Sequence, residues 1–264
     1  MAPGASAPRA PAGVRIGTAG WTIPRDTATA FAGEGSHLQR VARVLGCAEI
    51  NSSFHRSHRP GVYERWAAQT PPEFRFAAKL PRAISHDARL RRAREPLQRF
   101  LAEAAGLGDK LAVVLVQLPP SFAFEARPVR VFFELLRGRF AGAVVCEPRH
   151  ASWFEAPADR LLASLQVSRA AADPARQPEA ARPGGWLGPA GDGRDAVLYH
   201  RWHGAPRVYW SRYEPSWIAA RAAELRRWPA EADRWCVFDN TASGAAMANA
   251  LELRAALEAQ AAAA

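Results

Sequence analysis

The chain has 264 residues, 48% hydrophobic and 23% charged, the balance of a folded globular protein with enough length for a substantial core. Its formal net charge is +10 and its pI near 10.6, carried almost wholly by arginine, since lysine occurs only at positions 79 and 110. No apolar run approaches the roughly 18–20 residues of a membrane-spanning helix, so no membrane partner is expected.

Residues 1–13, rich in Ala, Pro and Gly without an apolar h-region, read as a disordered leader rather than a signal peptide. From there one event repeats through a single expected domain, residues 14–260: a short apolar strand ends on polar groups and a helix follows. Strand 14–18 leads to Gly20-Trp21, and Ser36 is placed to cap a helix carrying Leu38, Val41 and Leu45 at helical spacing. Strand 48–50 runs through Glu49 into Asn51, Ser52 and His55 before a helix over 61–69. Strand 74–78 ends at Lys79 and precedes a helix over 96–106. Strand 111–116 ends at Gln117, with a helix over 127–137. Strand 143–146 ends at Glu147, Arg149 and His150, with a helix over 156–165. Strand 167–172 ends at Asp173, and the Pro/Gly-rich stretch 174–195, without periodicity, is a candidate lid. Strand 197–202 carries Arg201 and leads to His203 and a helix over 215–227. Strand 235–238 ends at Asp239-Asn240, before a last helix over 243–259.

Eight strand–helix units imply parallel pairing with right-handed crossovers and a closed barrel, that is, an α/β fold with a single (β/α)8 TIM-barrel-like domain. A doubly wound sheet is disfavoured because Gly17-Thr18-Ala19-Gly20-Trp21 is not a dinucleotide-binding fingerprint. In a barrel the C-terminal strand ends share one mouth, and alternation turns Glu49 with Asn51, Arg201 with His203, and Asp239 inward. The expected catalytic groups are Glu49, Lys79, Glu147 and Asp239. Substrate contacts are expected from Trp21, Asn51, Ser52, His55, Gln117, Arg149, His150, Arg201 and Asn240. Trp21, Trp153, Trp202 and Trp210 are candidates for a stacking wall or for packing, while His37, His58 and His86 read as surface residues. Cys47, Cys146 and Cys236 lie in apolar runs without ligand spacing and read as buried reduced thiols, the usage of a cytoplasmic protein. The basic cluster Arg82, Arg89, Arg91, Arg92, Arg94 and Arg99 is either a solvated face or a nucleic-acid track.

Seven motifs in order carry a resemblance to the YecE-like family known as domain of unknown function 72. They are Ile16-Gly17-Thr18-Ala19-Gly20-Trp21, Glu49-Ile50-Asn51-Ser52-Ser53-Phe54, Phe74-Arg75-Phe76-Ala77-Ala78-Lys79, Gln117-Leu118-Pro119-Pro120-Ser121-Phe122, Glu147-Pro148-Arg149-His150-Ala151-Ser152-Trp153-Phe154, Arg201-Trp202-His203-Gly204 and Phe238-Asp239-Asn240. The resemblance implies a TIM-barrel-like fold and leaves the reaction open. Four readings stand. In the first, Glu147, Asp173, His203 and Asp239 hold a divalent metal (Mg, Mn or Zn), an order that resembles xylose-isomerase-like and endonuclease-IV-like barrels. In the second, a metal-free lattice of acids and bases binds a small anionic or phosphorylated substrate. The third is nucleic-acid binding or phosphodiester cleavage, and the fourth a non-catalytic ligand-binding barrel.

Overall fold

The computed structural model describes residues 13–188, 197–229 and 232–261. Nearly all of the expected leader, and the 189–195 part of the expected lid, lie outside the described residues.

The strands are β1 (Val14–Ala19), β2 (Cys47–Ile50), β3 (Arg75–Lys79), β4 (Leu111–Gln117), β5 (Ala143–Glu147), β6 (Val167–Arg169), β7 (Ala171–Asp173), β8 (Gly184–Gly185), β9 (Val197–Trp202) and β10 (Asp233–Phe238). They form one sheet in the order β7-β9-β10-β1-β2-β3-β4-β5-β6-β8. All pairings are parallel except β6 with β8. β6 and β7 are halves of one run interrupted at Ala170: β6 pairs with β5, and β7 pairs with β9. That broken stave closes the ring, and with β8 an appended hairpin arm, eight parallel staves remain. The fold is a TIM-barrel-like α/β barrel.

The helices are α1 (His37–Ala42), α2 (Ser52–His55), α3 (Pro60–Ala68), α4 (Arg94–Ala104), α5 (Ala126–Arg137), α6 (Ala156–Ser164), α7 (Pro215–Leu225) and α8 (Ala245–Ala261). Ser36 caps α1 through a reciprocal box with Gln39. The short α2 was not expected, and the stretch after β7 holds a 3-10 turn (Pro178–Ala181) and β8 in place of a crossover helix. Lys79, Gln117 and Glu147 are the last residues of their strands rather than loop residues, because their backbones keep the ladder register, Gln117 opposite Glu147.

Alternation sorts the core. Ala19, Cys47, Ala77, Val113, Leu115, Val145, Ala170, Val197, Tyr199, Trp235 and Val237 fill the lumen. Trp235 stacks on Tyr199, ring centroids 5.7 Å apart and planes 20° from parallel, so the lower barrel is packed. Gly17 faces the same lumen, where a Cβ would come within 2.2 Å of the Cys47 carbonyl oxygen. Two further apolar layers lie between staves and helices, one under α3–α6 and one under α1, α7 and α8. All three cysteines are buried and unpaired.

Candidate active site at the barrel mouth

Above Tyr199, alternation places one layer of polar residues across the lumen. Arg201, on β9, is wholly buried. Its Nε and Nη2 donate to the two oxygens of Glu49 on β2 at 2.9 and 2.6 Å. Nη1 donates to Glu147 Oε2 on β5 at 2.6 Å, and Nη2 also to Asp239 Oδ2 at 2.9 Å. Two residues on, the His203 ring spans the same acids, with Nε2 2.9 Å from Glu147 Oε1 and Nδ1 3.1 Å from Asp239 Oδ2. Tyr199 donates to Glu49 Oε2 from below at 3.0 Å, and Gln117 Nε2 to Glu147 Oε2 at 2.9 Å. Gly204 turns the chain away immediately after His203 at φ +89, where a Cβ would meet the Ser211 carbonyl at 2.5 Å.

The electrostatics follow from this clasp. Burial pushes the Glu147 carboxyl up, but Arg201 first, then Arg149 and His203, hold it well below the usual carboxylate range. Asp239 is lowered in the same way: burial opposes, and Arg201 and His203 outweigh it. Burial works against charging His203, yet the Glu147 carboxylate and the hydrogen bonds to Asp239 and Glu147 hold its pKa above the ordinary value. With a carboxylate at each nitrogen, the His203 ring is favoured in its charged form, in which it donates to both. Lys79 moves the other way, down to about 8, first through burial and then through Arg201, with Glu49, Glu147 and Asp239 pulling against them.

Beside this layer lies a cavity of about 270 Å³ lined by Glu147, Arg149, Ala172, Arg176, His203 and Val208, among others. Arg149 reaches across its rim, with Nη2 3.4 Å from Glu147 Oε1 and 3.0 Å from the Tyr209 hydroxyl.

The expected site residues divide accordingly. Glu49, Lys79, Gln117, Glu147, Arg149, Arg201, His203 and Asp239 converge, and Asn51 joins them through Nδ2 to Asp239 Oδ1 at 3.3 Å. Each acid is engaged: Glu49 by Arg201 and Tyr199, Glu147 by Arg201, Gln117 and His203, and Asp239 by Arg201, His203 and Asn51. Asp173 departs. Counting from the inward Ala170, alternation turns Ala172 into the cavity and Asp173 out, where it accepts from the Tyr213 hydroxyl at 2.7 Å. Asn240 departs for the same reason; it is one position past Asp239, buried, and bonded to Ser211 and Asn249. Ser52 bonds the His58 ring at 2.8 Å, and His58 is buried rather than on the surface. His150 caps the turn at Ala151–Phe154, and His55 is exposed against Phe54. The stacking wall is not built. Trp21 packs edge-on to Trp66 and Phe76, Trp153 and Trp202 are buried outside the lumen, and Trp210 lies exposed beneath Arg207.

The metal reading does not fit this arrangement. A guanidinium stands where the acids converge, Asp173 points away, and among the described residues no group of three or more His, Cys, Asp or Glu is disposed to hold an ion. Arg176, Val208 and Tyr209 escaped the sequence reading because they lie in loops, beyond any strand-end pattern. The one available signal for Tyr209 is that the chain has just four tyrosines.

The family model described as "Protein of unknown function DUF72" matches residues 15–264. The UPF0759 protein YecE of Escherichia coli K12 is 31% identical over 176 residues, 64% of this chain and 62% of that protein. Its counterpart in E. coli O157:H7 is 31% identical over 142 residues, 53% of this chain and 50% of that one. The matched region thus spans less than two thirds of those relatives. Among solved structures, a DUF72 family protein from Enterococcus faecalis V583 superposes with a TM-score of 0.73 at 20% identity, covering 93% of this chain and 95% of that one. Another from Thermotoga maritima MSB8 does so at 0.73 and 21%, covering 93% and 99%. Both likenesses concern the fold.

Proposed function

The chain belongs to the DUF72 family of proteins of unknown function, and from that premise we propose that it is a metal-free acid–base enzyme acting on a small anionic metabolite at the barrel mouth. One observation carries the reading: the mouth holds more positive than negative charge, beside a cavity of metabolite size. Three carboxylates, Glu49, Glu147 and Asp239, face three guanidinium groups, those of Arg201, Arg149 and Arg176, together with the His203 ring, whose charged form Glu147 and Asp239 favour, so positive charge is in excess whichever form Lys79 takes. Burying unbalanced charge is costly, and an anionic ligand removes the imbalance. Arg149 and Arg176 on the cavity wall suit a carboxylate or phosphate.

His203 fixes positive charge on the cavity wall, held in orientation at both nitrogens by Glu147 and Asp239. Lys79 is suited to carry a proton to and from the substrate, since its pKa is lowered to about 8. Arg201 with Glu49 keeps the layer rigid, so the charges are organised before substrate arrives.

The test is thermal unfolding with inorganic phosphate, pyruvate and 3-phosphoglycerate, each with and without chelator. At least one anion raises Tm, by the equivalent of about 2.7 kcal/mol at a hundredfold excess over its Kd. The effect disappears in Arg149→Ala/Arg176→Ala and survives the chelator. A panel without any stabilising anion overturns the reading, and a shift that the chelator removes restores the metal one.

A further inference from the structure

The two lysines of this chain are held in opposite ways. Lys110, just before β4, is locked by three hydrogen bonds, to the Ala67 and Thr70 carbonyls at 2.6 Å each and to Thr70 Oγ1 at 3.0 Å. Lys79 ends β3 facing the lumen, 7% exposed, and its ammonium has no hydrogen bond or ion pair among the described residues. Its contact is the Phe54 ring, with Nζ 4.3 Å from the centroid. The backbone beneath is fixed, because Ser53 Oγ bonds the Lys79 carbonyl at 2.7 Å and Leu80 N donates to Leu115 O at 2.8 Å. The three acids that would pair with the ammonium are already claimed by Arg201 and His203.

A cation buried against an aromatic face, with its counterions spoken for, is poorly solvated as an ammonium and is released by becoming an amine. We infer that Lys79 is a nucleophile that forms an imine with an aldehyde or ketone bearing an anionic group, an activity that rests on the anion-binding reading above. The Nζ lone pair attacks the carbonyl carbon, a C–N bond forms, and the carbonyl π pair moves to oxygen. That oxygen takes one proton from the nitrogen, which carries two after the attack. A second proton, lost from nitrogen, leaves with the oxygen as water while the nitrogen pair closes the C=N bond. Amine and carbonyl give imine and water, with no change of oxidation state. Burial and Arg201 hold the amine's pKa near 8, which supplies the reactive form close to neutrality.

Full-length protein is incubated with glyceraldehyde 3-phosphate or pyruvate and with sodium borohydride, which delivers hydride to an imine carbon and fixes the adduct. Peptide mapping then reads Lys79 against Lys110 and the α-amine. Lys79 is expected to label at least tenfold faster than Lys110, with a pH midpoint near 8, and inorganic phosphate slows it. Lys79→Arg, which keeps the charge, takes up no adduct at that position while unfolding at the wild-type temperature. Labelling of Lys79 no faster than Lys110 overturns the imine, and leaves the anion reading standing if phosphate still raises Tm. Fast labelling of Lys79 that phosphate does not slow upholds the nucleophile and overturns the requirement for an anionic group.

Discussion

Arg201 spends three of its nitrogens on Glu49, Glu147 and Asp239, with none of its surface exposed. Removing one partner of a buried ionic cluster leaves the others uncompensated, at a cost of about 3–5 kcal/mol. Arg201→Met is therefore expected to lower urea-unfolding stability by that amount, and a neutral result would mean the acids are solvated in ways the clasp does not allow. Lysine in its place loses the bidentate grip on Glu49 and recovers little. Much of this layer was legible beforehand, because Glu49, Arg201, His203 and Asp239 all obey alternation along their strands. The same rule, counted from Ala170 and Asp239, would have turned Asp173 and Asn240 outward. What it has no means of reading is which cation wins the acids, since that depends on side-chain reach across the lumen.

The strands and most helices were also readable, from apolar runs and from signals such as Ser36 before α1. Ser36→Ala is expected to cost about 1 kcal/mol in urea unfolding, since the hydroxyl accepts from Gln39 N. Harder to foresee were α2 and the region after β7, where tertiary contacts decide. Asp159 on α6 pairs with Arg169 and accepts from Gly185 N, pinning β8 beside β6 where a crossover helix was the default. Gly17 gives the sharper test of the sheet. Its missing Cβ lets β1 approach β2 over the Cys47 carbonyl, so Gly17→Ala overpacks the lumen at about 1–3 kcal/mol. The measurement is urea unfolding, and an unchanged midpoint would show that the two strands move apart freely.

Across the whole molecule, the histidines set the pH of greatest stability. Burial lowers His200 from 6.5 to about 4, and burial with Lys79, Arg82 and Arg149 lowers His86 to about 4. Below pH 6.5 the unfolded chain binds those protons and the folded one does not, so stability falls as the solution is acidified. His203 is raised, so its contribution is complete below 6.5 and is lost as pH climbs through its folded pKa. Over the histidine range Tm is thus expected to peak near pH 6.5 and His203→Gln to flatten the fall just above it, while above about pH 8 Lys79, lowered from 10.5, adds stability again; a Tm rising from 6.5 to 7.5 would contradict a raised His203. The clasp carries a further consequence, for the order of assembly. Arg201 meets Glu49 across 152 residues, Glu147 across 54 and Asp239 across 38. Such distant contacts form late in folding, and the mouth cannot be complete until β10 docks. A chain emerging from the ribosome therefore carries the charges of the mouth scattered and solvated until its last stave is made.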